Sequence, residues 1–322
     1  MSAFRLSVAV PVYNEEESIP LLLARLGAVL DALPGGPHEM VFVDDGSRDG
    51  SLALLRAAAA ADPRVTAVAL SRNFGHQQAL TAALDHATGD AVLVMDADLQ
   101  DTPESIPQFV ALFREEGYDV VYARRVARKE AAWKRAAYFG FYRLAARLST
   151  VPLPLDAGDF GLMSRRVVDL LRAMPERHRF LRGMRAWAGF RQIGVAVERA
   201  ERGAGESKYS LRRLMGLAFD GIFAFSVIPL RAAAAAGVLA MILSTLFAIY
   251  SLVAKLFLGR QPQGFTALIL VITFLSGVQL LFLGVIGEYL GRVYEEVKHR
   301  PTYVVGEVVR GAPAPAPADA SS

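Results

Sequence analysis

Short hydrophobic runs alternate with amphipathic segments along the first part of the chain. Each run ends in turn residues, and in the segment that follows apolar residues recur every three or four positions, as in a helix packed on a sheet. The predicted strands are Leu6–Val12, Met40–Val43, Val65–Leu70, Ala91–Met95 and Tyr118–Tyr122. The predicted helices are Glu15–Leu33, Ser51–Ala61, His76–Ala87 and Pro103–Glu116. This alternation is typical of an α/β domain with a doubly wound, mostly parallel sheet.

Two later stretches, 232–254 and 265–287, each run for 23 residues without a charged side chain. Each is longer than the ~20 residues that a helix needs to cross a bilayer. They predict a two-helix transmembrane anchor within 229–290. The loop between them carries only Lys255 and Arg260, whereas basic residues are numerous on both flanks. The positive-inside rule therefore predicts a multi-pass protein of the cytoplasmic (inner) membrane, with both flanks in the cytoplasm.

The anchor divides the chain into further parts. Residues 1–228 are expected to form a cytoplasmic domain, and 291–322 a cytoplasmic C-terminal segment ending in a disordered Pro/Ala-rich tail. Two basic, aromatic stretches near 129–148 and 208–225 have helical spacing and favour helices lying in the membrane interface. An ordinary surface helix packed on the sheet is the alternative for both.

Composition narrows the class of protein. Hydrophobic residues make up 53% of the 322 residues, which is high for an ordinary soluble enzyme. The net charge of +3 gives no reason to expect a nucleic-acid partner. The absence of cysteine excludes disulfides, cysteine-ligated zinc and a cysteine nucleophile. The first residues lack the pattern of a secretory signal, so the globular part is expected to stay in the cytoplasm.

Polar residues gather where the predicted strands end. Glu15, Asp45, Arg72, Asp96 and Asp98 all lie at or just beyond a carboxyl end. Parallel α/β sheets bind their ligands at that edge. These side chains are therefore candidates for a binding or catalytic site.

The Asp96-Ala97-Asp98 sequence is the central candidate for chemistry. Residues two apart on a strand point the same way, so both carboxylates can face one cation. Mg²⁺ binds through one or two carboxylates together with substrate phosphates, and Mn²⁺ accepts the same oxygen ligands. An isolated Asp-x-Asp is commonly plain surface, but here it follows a strand and precedes a helix. The turn at Asp45 favours a nucleoside contact, with a simple capped turn as the alternative.

Six motifs occur in a characteristic order: PVYNEE at 11–16, DDGSRDGS at 44–51, SRNFGHQQALTAALDHATGD at 71–90, MDADLQD at 95–101, GDFGLMSRR at 158–166 and GESKYSLRRL at 205–214. Together they resemble glycosyltransferase family 2, and within it the polyprenyl-phosphate branch. That branch includes dolichyl-phosphate mannose synthases and bactoprenol glucosyltransferases. The resemblance covers roughly residues 5–300, and it implies a nucleotide-sugar glycosyltransferase fold of type A.

The resemblance also implies roles for individual residues. The positions matching nucleoside contacts are Pro11, Tyr13, Glu15 and Asp45. The metal and donor motif matches Asp96, Ala97, Asp98 and Gln100, with Asp96, Asp98 and Gln100 as metal ligands. Donor phosphate is matched by Arg202, and acceptor phosphate by Arg124, Arg135, Ser207 and Lys208. An acidic, catalytic segment near the sugar is matched by Asp156 and Asp159.

One position departs from the family pattern. Relatives usually read Gly-Asp-Phe-Arg-Leu, whereas this chain has glycine at 161. The task of the missing guanidinium is expected to change or to pass to Arg165 or Arg166.

The implied reaction is inverting transfer of a hexose, with UDP-glucose as the favoured donor, onto a polyprenyl phosphate such as undecaprenyl phosphate. A lipid phosphate is already anionic and needs no strong base, so His76, His86 and His178 are interpreted as structural or exposed. Membrane lipids are expected partners, and a homotetramer is possible by resemblance.

The alternatives left open are a GDP-mannose-dependent mannose synthase and a non-catalytic membrane scaffold. A processive polysaccharide synthase is disfavoured because the chain lacks Gln-x-x-Arg-Trp. A dehydrogenase is disfavoured because no Gly-x-Gly-x-x-Gly follows the first strand.

Overall fold

The computed structural model describes residues 4–125, 157–177, 179–197, 228–258 and 264–311. They form two compact units: an α/β unit made of the described residues up to 197 together with 300–311, and a helical unit made of 228–258 and 264–299. Both predicted interface helices and the Pro/Ala-rich tail lie outside the described residues. So do seven residues named above: Arg135, Asp156, His178, Arg202, Ser207, Lys208 and Arg260.

The α/β unit is built on an eight-stranded sheet with the order β7-β5-β6-β4-β1-β2-β3-β8. Its strands are β1 Leu6–Val12, β2 Glu39–Asp44, β3 Val65–Leu70, β4 Ala91–Val94, β5 Val120–Arg125, β6 Ala157–Ser164, β7 Gln192–Val197 and β8 Val305–Arg310. Only the central block β4-β1-β2-β3 and the β5–β7 pair are parallel. The prediction of a mostly parallel sheet needs correction: β6 and β8 run antiparallel to their neighbours, so the sheet is mixed.

Helices cover both faces of this sheet. They are α1 Ile19–Ala32, α2 Ser51–Ala61, α3 His76–His86, α4 Ile106–Glu115, α5 Arg165–Ala173 and α6 Leu181–Trp187, with a 3₁₀ turn at Pro103–Ser105. The helix predicted over Pro103–Glu116 therefore begins as a 3₁₀ turn. The buried stripe of α1 comprises Ile19, Leu22, Leu26 and Leu30, which is the three-to-four spacing of a helix that packs one face.

Alternation along the central strand creates two hydrophobic layers. All seven residues of β1 are buried. Val8 and Val10 pack in the layer with α1, whereas Ala9 packs in the opposite layer with α3. Burying a Val or Leu side chain stabilises a fold by about 1.5–3 kcal/mol relative to leaving it exposed. The two layers hold the sheet rigidly and leave the loops at its carboxyl edge to form a site.

The C-terminal segment returns to the sheet as an edge strand. Val308 of β8 lies opposite Val68 of β3. Tyr303 donates a hydrogen bond of 2.6 Å to Asp85 on α3. Arg56 on α2 forms an ion pair with Glu307. A segment expected only to be cytoplasmic is therefore part of the α/β unit.

The helical unit consists of α7 Ile228–Leu258 and α8 Phe265–Val297. These helices cover both predicted spans, 232–254 and 265–287, and extend beyond them. By length and hydropathy, one stretch among the described residues is suited to crossing a membrane, Phe274–Val297, while the apolar part of α7 is shorter, Ala233–Phe247. The prediction of two crossings is thus not confirmed.

Candidate active site

The loops that follow β1 and β2 are tied together by hydrogen bonds at the carboxyl edge of the sheet. The Asn14 N–H donates to Ser47 Oγ at 3.0 Å, and the Arg48 N–H donates to Asn14 Oδ1 at 2.8 Å. The Glu15 N–H donates to Ser51 Oγ at 2.8 Å. Because each loop satisfies backbone donors of the other, Glu15 and the exposed Tyr13 lie on a fixed rim.

A third loop joins this rim through Gly46 and Asp45. Gly46 has a φ of 69°, and a Cβ atom there would lie 2.6 Å from the backbone nitrogen of Asn73, so only glycine fits. Asp45 is 3% exposed, and its two oxygens accept the backbone N–H groups of Phe74 and Gly75 at 2.7 and 2.9 Å. Burial raises the pKa of Asp45, although these two hydrogen bonds oppose the rise. Asp45 thus holds the backbone immediately before α3, while its predicted nucleoside contact stays a prediction.

A pocket opens beside this rim, between the turn after β4 and the ends of β5, β6 and β7. It is lined by Asp96, Gln100, Asp101, Ala123, Gly158, Asp159, Phe160 and Val197. Three of the predicted site residues, Asp96, Gln100 and Asp159, therefore meet in one cavity. Carboxylates collected in a cleft are candidates for chemistry.

The two carboxylates of the Asp96-Ala97-Asp98 sequence have different local roles. Strand β4 ends at Val94, so Asp96 and Asp98 both lie in the turn beyond it. The alternation of side chains along a strand therefore does not make these two carboxylates point the same way. Asp96 lines the pocket, and its backbone N–H donates to Asp101 Oδ2 at 3.1 Å. Asp98 accepts the backbone N–H of Gln100 at 3.1 Å and is not part of the pocket lining. Ala97 between them is buried.

His76, interpreted from sequence as structural or exposed, lies at the pocket. Its Nε2 is 3.6 Å from Asp96 Oδ1 and 3.8 Å from Asp159 Oδ2. Burial lowers the pKa of His76, but Asp159 and Asp96 outweigh it and the net shift is upward. A signal existed in the sequence, because His76 begins the helix that follows the third strand, close to the ligand-binding edge.

Arg182 is a second residue that sequence reasoning missed. Its Nε lies 3.0 Å from Asp159 Oδ1. Burial raises the pKa of Asp159, but His76 and the charges of Arg182 and Arg185 more than offset this and lower the pKa to about 2. Asp159 is therefore a permanently ionised, weakly basic carboxylate at neutral pH.

The donor set suits a hard divalent cation that completes its shell with substrate. Asp96 and Gln100 present oxygen-bearing side chains to one cavity. Among the described residues, no three histidine or acidic side chains form a cluster able to hold a metal ion. Mg²⁺ and Mn²⁺ fit such a sparse site, since they are commonly held by one or two carboxylates plus phosphate oxygens and water.

The guanidinium nearest to Gly161 comes from α6, not from Arg165 or Arg166. Arg165 donates to the carbonyl oxygens of Ala87 and Gly89, and Arg166 forms an ion pair with Asp119. A Cβ atom at position 161 would lie 3.2 Å from Nη1 of Arg185. The expectation that Arg165 or Arg166 takes over the missing role is wrong, because both side chains are held by other partners.

The remaining predicted residues within the described part lie around the same edge. Pro11 is buried near the end of β1, beyond Ala9, the last residue that pairs with β4. Its lack of a backbone N–H therefore costs no hydrogen bond between β1 and β4. Arg124 is exposed and adjoins Ala123 of the pocket wall. The structure thus brings Asp96, Gln100 and Asp159 together, and places Tyr13, Glu15 and Asp45 on the neighbouring rim.

Comparisons with known proteins agree with this fold. The family described as "Glycosyl transferase family 2" matches residues 7–171, just over half of the chain. The "Uncharacterized glycosyltransferase YkcC" of Bacillus subtilis is 45% identical over 93% of this chain and 92% of its own length. A second protein, the "Bactoprenol glucosyl transferase" of Shigella phage SfII, is 40% identical over 96% of this chain and 100% of its own length. The chain therefore belongs to glycosyltransferase family 2, and its resemblance to the bactoprenol branch is confirmed.

Proposed function

We propose that this protein transfers glucose from UDP-glucose to a polyprenyl phosphate at the cytoplasmic face of the membrane, with inversion at the anomeric carbon. The observation that carries the proposal is the pocket shared by Asp96, Gln100 and Asp159, in a chain that matches a bactoprenol glucosyl transferase over nearly its whole length. Tyr13 and Glu15, on the rim, are proposed to contact the nucleoside.

The side chains around the pocket suit a reaction driven by positioning and electrostatics. A phosphate monoester is anionic at neutral pH, so it attacks without a strong general base. Asp159 is a poor base because His76, Arg182 and Arg185 stabilise its ionised form. It is suited instead to accepting hydrogen bonds from sugar hydroxyls. Asp96, Asp98 and Gln100 are proposed to hold Mg²⁺ or Mn²⁺, which would neutralise charge on the departing diphosphate.

The acceptor phosphate requires cations near the membrane. Arg124 lies exposed beside the pocket wall and is the described candidate. Arg135, Ser207 and Lys208 are proposed to share this role, Arg202 to hold the donor phosphate, and Asp156 to act beside Asp159. These five assignments rest on the family resemblance.

Chain connectivity supports a two-crossing anchor. The chain leaves the sheet after β7 and returns to the same sheet as β8. A chain that leaves and re-enters one folded body on one side of a bilayer crosses it an even number of times. If Phe274–Val297 crosses, a second crossing is required, and α7 is our candidate for it among the described residues. The layout 1–228, 229–290 and 291–322, with both ends in the cytoplasm, therefore remains the proposed organisation.

The direct test is sugar transfer by the full chain in membranes. Membranes with undecaprenyl phosphate are incubated with labelled UDP-glucose, GDP-mannose or an amino-sugar nucleotide, and the lipid is extracted. We expect label in the lipid fraction with UDP-glucose. Label from GDP-mannose alone would favour a mannose synthase. The absence of labelled lipid with every donor would reject lipid-linked sugar transfer.

Metal dependence is tested in the same assay. EDTA should reduce transfer at least 100-fold, since electrostatic stabilisation of a leaving group is worth about that much, and Mg²⁺ or Mn²⁺ should restore it. Asp96→Asn should cause a comparable loss. The control is Asp31→Asn, an exposed carboxylate on α1, which should leave transfer unchanged. Full activity of Asp96→Asn would favour a different metal site.

A further inference from the structure

Arg185 is a buried cation directly behind the pocket wall. Its side chain is 3% exposed, and Nη2 donates to the carbonyl oxygen of Gly158 at 3.3 Å. The guanidinium carbon lies 5.0 Å from the centre of the Tyr122 ring. Within the described part of the chain, its Nε has no hydrogen-bond partner. The arginine therefore contacts the strand segment that carries Asp159.

Such a placement is unfavourable unless a negative charge compensates for it. A buried charge loses its hydration, and an incompletely bonded guanidinium recovers only part of that free energy. Burial lowers the pKa of Arg185 to about 10, and Asp159 is the main group that opposes this. Asp159 is thus the acidic side chain whose charge favours the ionised form of Arg185 most, while Arg182 and His76 form the ion pairs with its oxygens.

Glycine at position 161 leaves the room that the arginine needs. A Cβ atom there would lie 2.9 Å from the carbonyl oxygen of Val121 and 3.2 Å from Nη1 of Arg185. Both distances are shorter than ordinary contacts, and the first involves backbone that is fixed in the β5–β6 pair. Any larger side chain at 161 would displace Arg185 or the strand.

We propose that Arg185 is a positioning residue for the sugar-transfer reaction: admitted by Gly161, it holds the Gly158–Asp159 segment so that the Asp159 carboxylate faces the pocket. The inference rests on the proposed function, which supplies the identity of the reaction. Arg185 acts through Asp159 and does not touch substrate. The effect should appear in turnover and not in nucleotide affinity, because Asp96 and the rim residues are on other loops.

The test compares Arg185→Met, Asp159→Asn and the double variant in the full-length protein, following UDP release and, separately, UDP affinity by calorimetry. Arg185→Met should lower kcat about 10- to 100-fold, as expected for a displaced catalytic group. The dissociation constant for UDP should change less than about twofold, as for groups beyond contact distance. The double variant should be no slower than Asp159→Asn alone. Arg56→Met, at an exposed ion pair on α2, is the matched control and should keep wild-type turnover.

Two further variants keep the inference testable if Arg185→Met folds poorly. Arg185→Lys retains the charge and should recover part of the lost turnover. Gly161→Ala should reproduce the loss of kcat, because its methyl group pushes on the guanidinium. Additive losses in the double variant, wild-type turnover in Arg185→Met, or a parallel loss of UDP affinity would each overturn the proposal.

Failure of the proposed function would be distinguishable. UDP release also reports slow hydrolysis of the donor without any lipid acceptor. A wild-type protein that labels no lipid but shows the same coupling between Arg185 and Asp159 would reject lipid transfer and retain the positioning role.

Discussion

The α/β unit and the helical unit use the same apolar residues in opposite ways. Leu93 in β4 is 0% exposed, whereas Leu283 in α8 is 61% exposed. Helix α1 buries one stripe, but α8 presents large apolar side chains such as Phe274 and Leu280 to its surroundings. Large exposed apolar surfaces of this kind mark contacts with a membrane or with another protein. The α/β unit supplies its own core, whereas the described apolar surface of α8 is suited to the hydrocarbon core of a bilayer.

The largest predicted difference in stability comes from the same Leu→Ala substitution made in each of the two units. Leu93→Ala should lower the free energy of unfolding by about 3–5 kcal/mol, because it leaves a cavity in close-packed surroundings. Leu283→Ala should change it by less than about 1 kcal/mol, since the described residues leave this side chain 61% exposed. Urea unfolding of the full chain in detergent, followed by circular dichroism, measures both. Similar losses would mean that Leu283 packs as tightly as Leu93.

A charge on an exposed leucine should distinguish the two environments. Leu280→Arg places a guanidinium in the apolar stretch of α8 and should oppose membrane insertion by about 2.5–3.5 kcal/mol. Leu21→Arg, on the exposed face of α1, should have an effect within about 0.5 kcal/mol. The measurement is the fraction of protein recovered in washed membranes. Equal recovery of both variants would argue against a membrane-embedded α8.

The smallest effect concerns two tyrosines on either side of the unit boundary. Tyr303→Phe removes the hydrogen bond to Asp85 and should cost about 1 kcal/mol of stability. Tyr294→Phe, at an exposed position of α8, keeps the ring that Lys298 contacts and should cost almost nothing. Urea unfolding of both variants under the same conditions measures the two changes in stability. A loss of stability in Tyr294→Phe alone would contradict this prediction.

Local pattern was enough to predict the central parallel block, β4-β1-β2-β3, but not β7, which pairs in parallel with β5. Strands β1 and β3 and helix α2 have the bounds that the sequence predicts, because each is a continuous apolar run or stripe between turn residues. Strand β6 was missed because it contains Gly158, Asp159 and Gly161, which weaken any strand signal. Strand β8 was missed because its stability comes from pairing with β3, far away in sequence.

The residues of the candidate site were also predicted only in part. Asp96 and Asp159 were found because they belong to recognisable motifs. His76, Arg182 and Arg185 were not, since their roles depend on α3 and α6 being brought to one pocket by the fold. The guanidinium near Gly161 comes from a helix whose position no local pattern specifies.

The double acceptance of backbone N–H groups by Asp45 bears on how mutagenesis of this protein is interpreted. Replacing Asp45 by alanine would release Phe74 and Gly75 and allow His76 to shift, so lost activity would not identify a nucleoside contact. Asparagine retains one acceptor and offers the more informative replacement. Asp45, whose sequence context resembles a ligand contact, therefore also fixes the backbone from which His76 extends to Asp96 and Asp159.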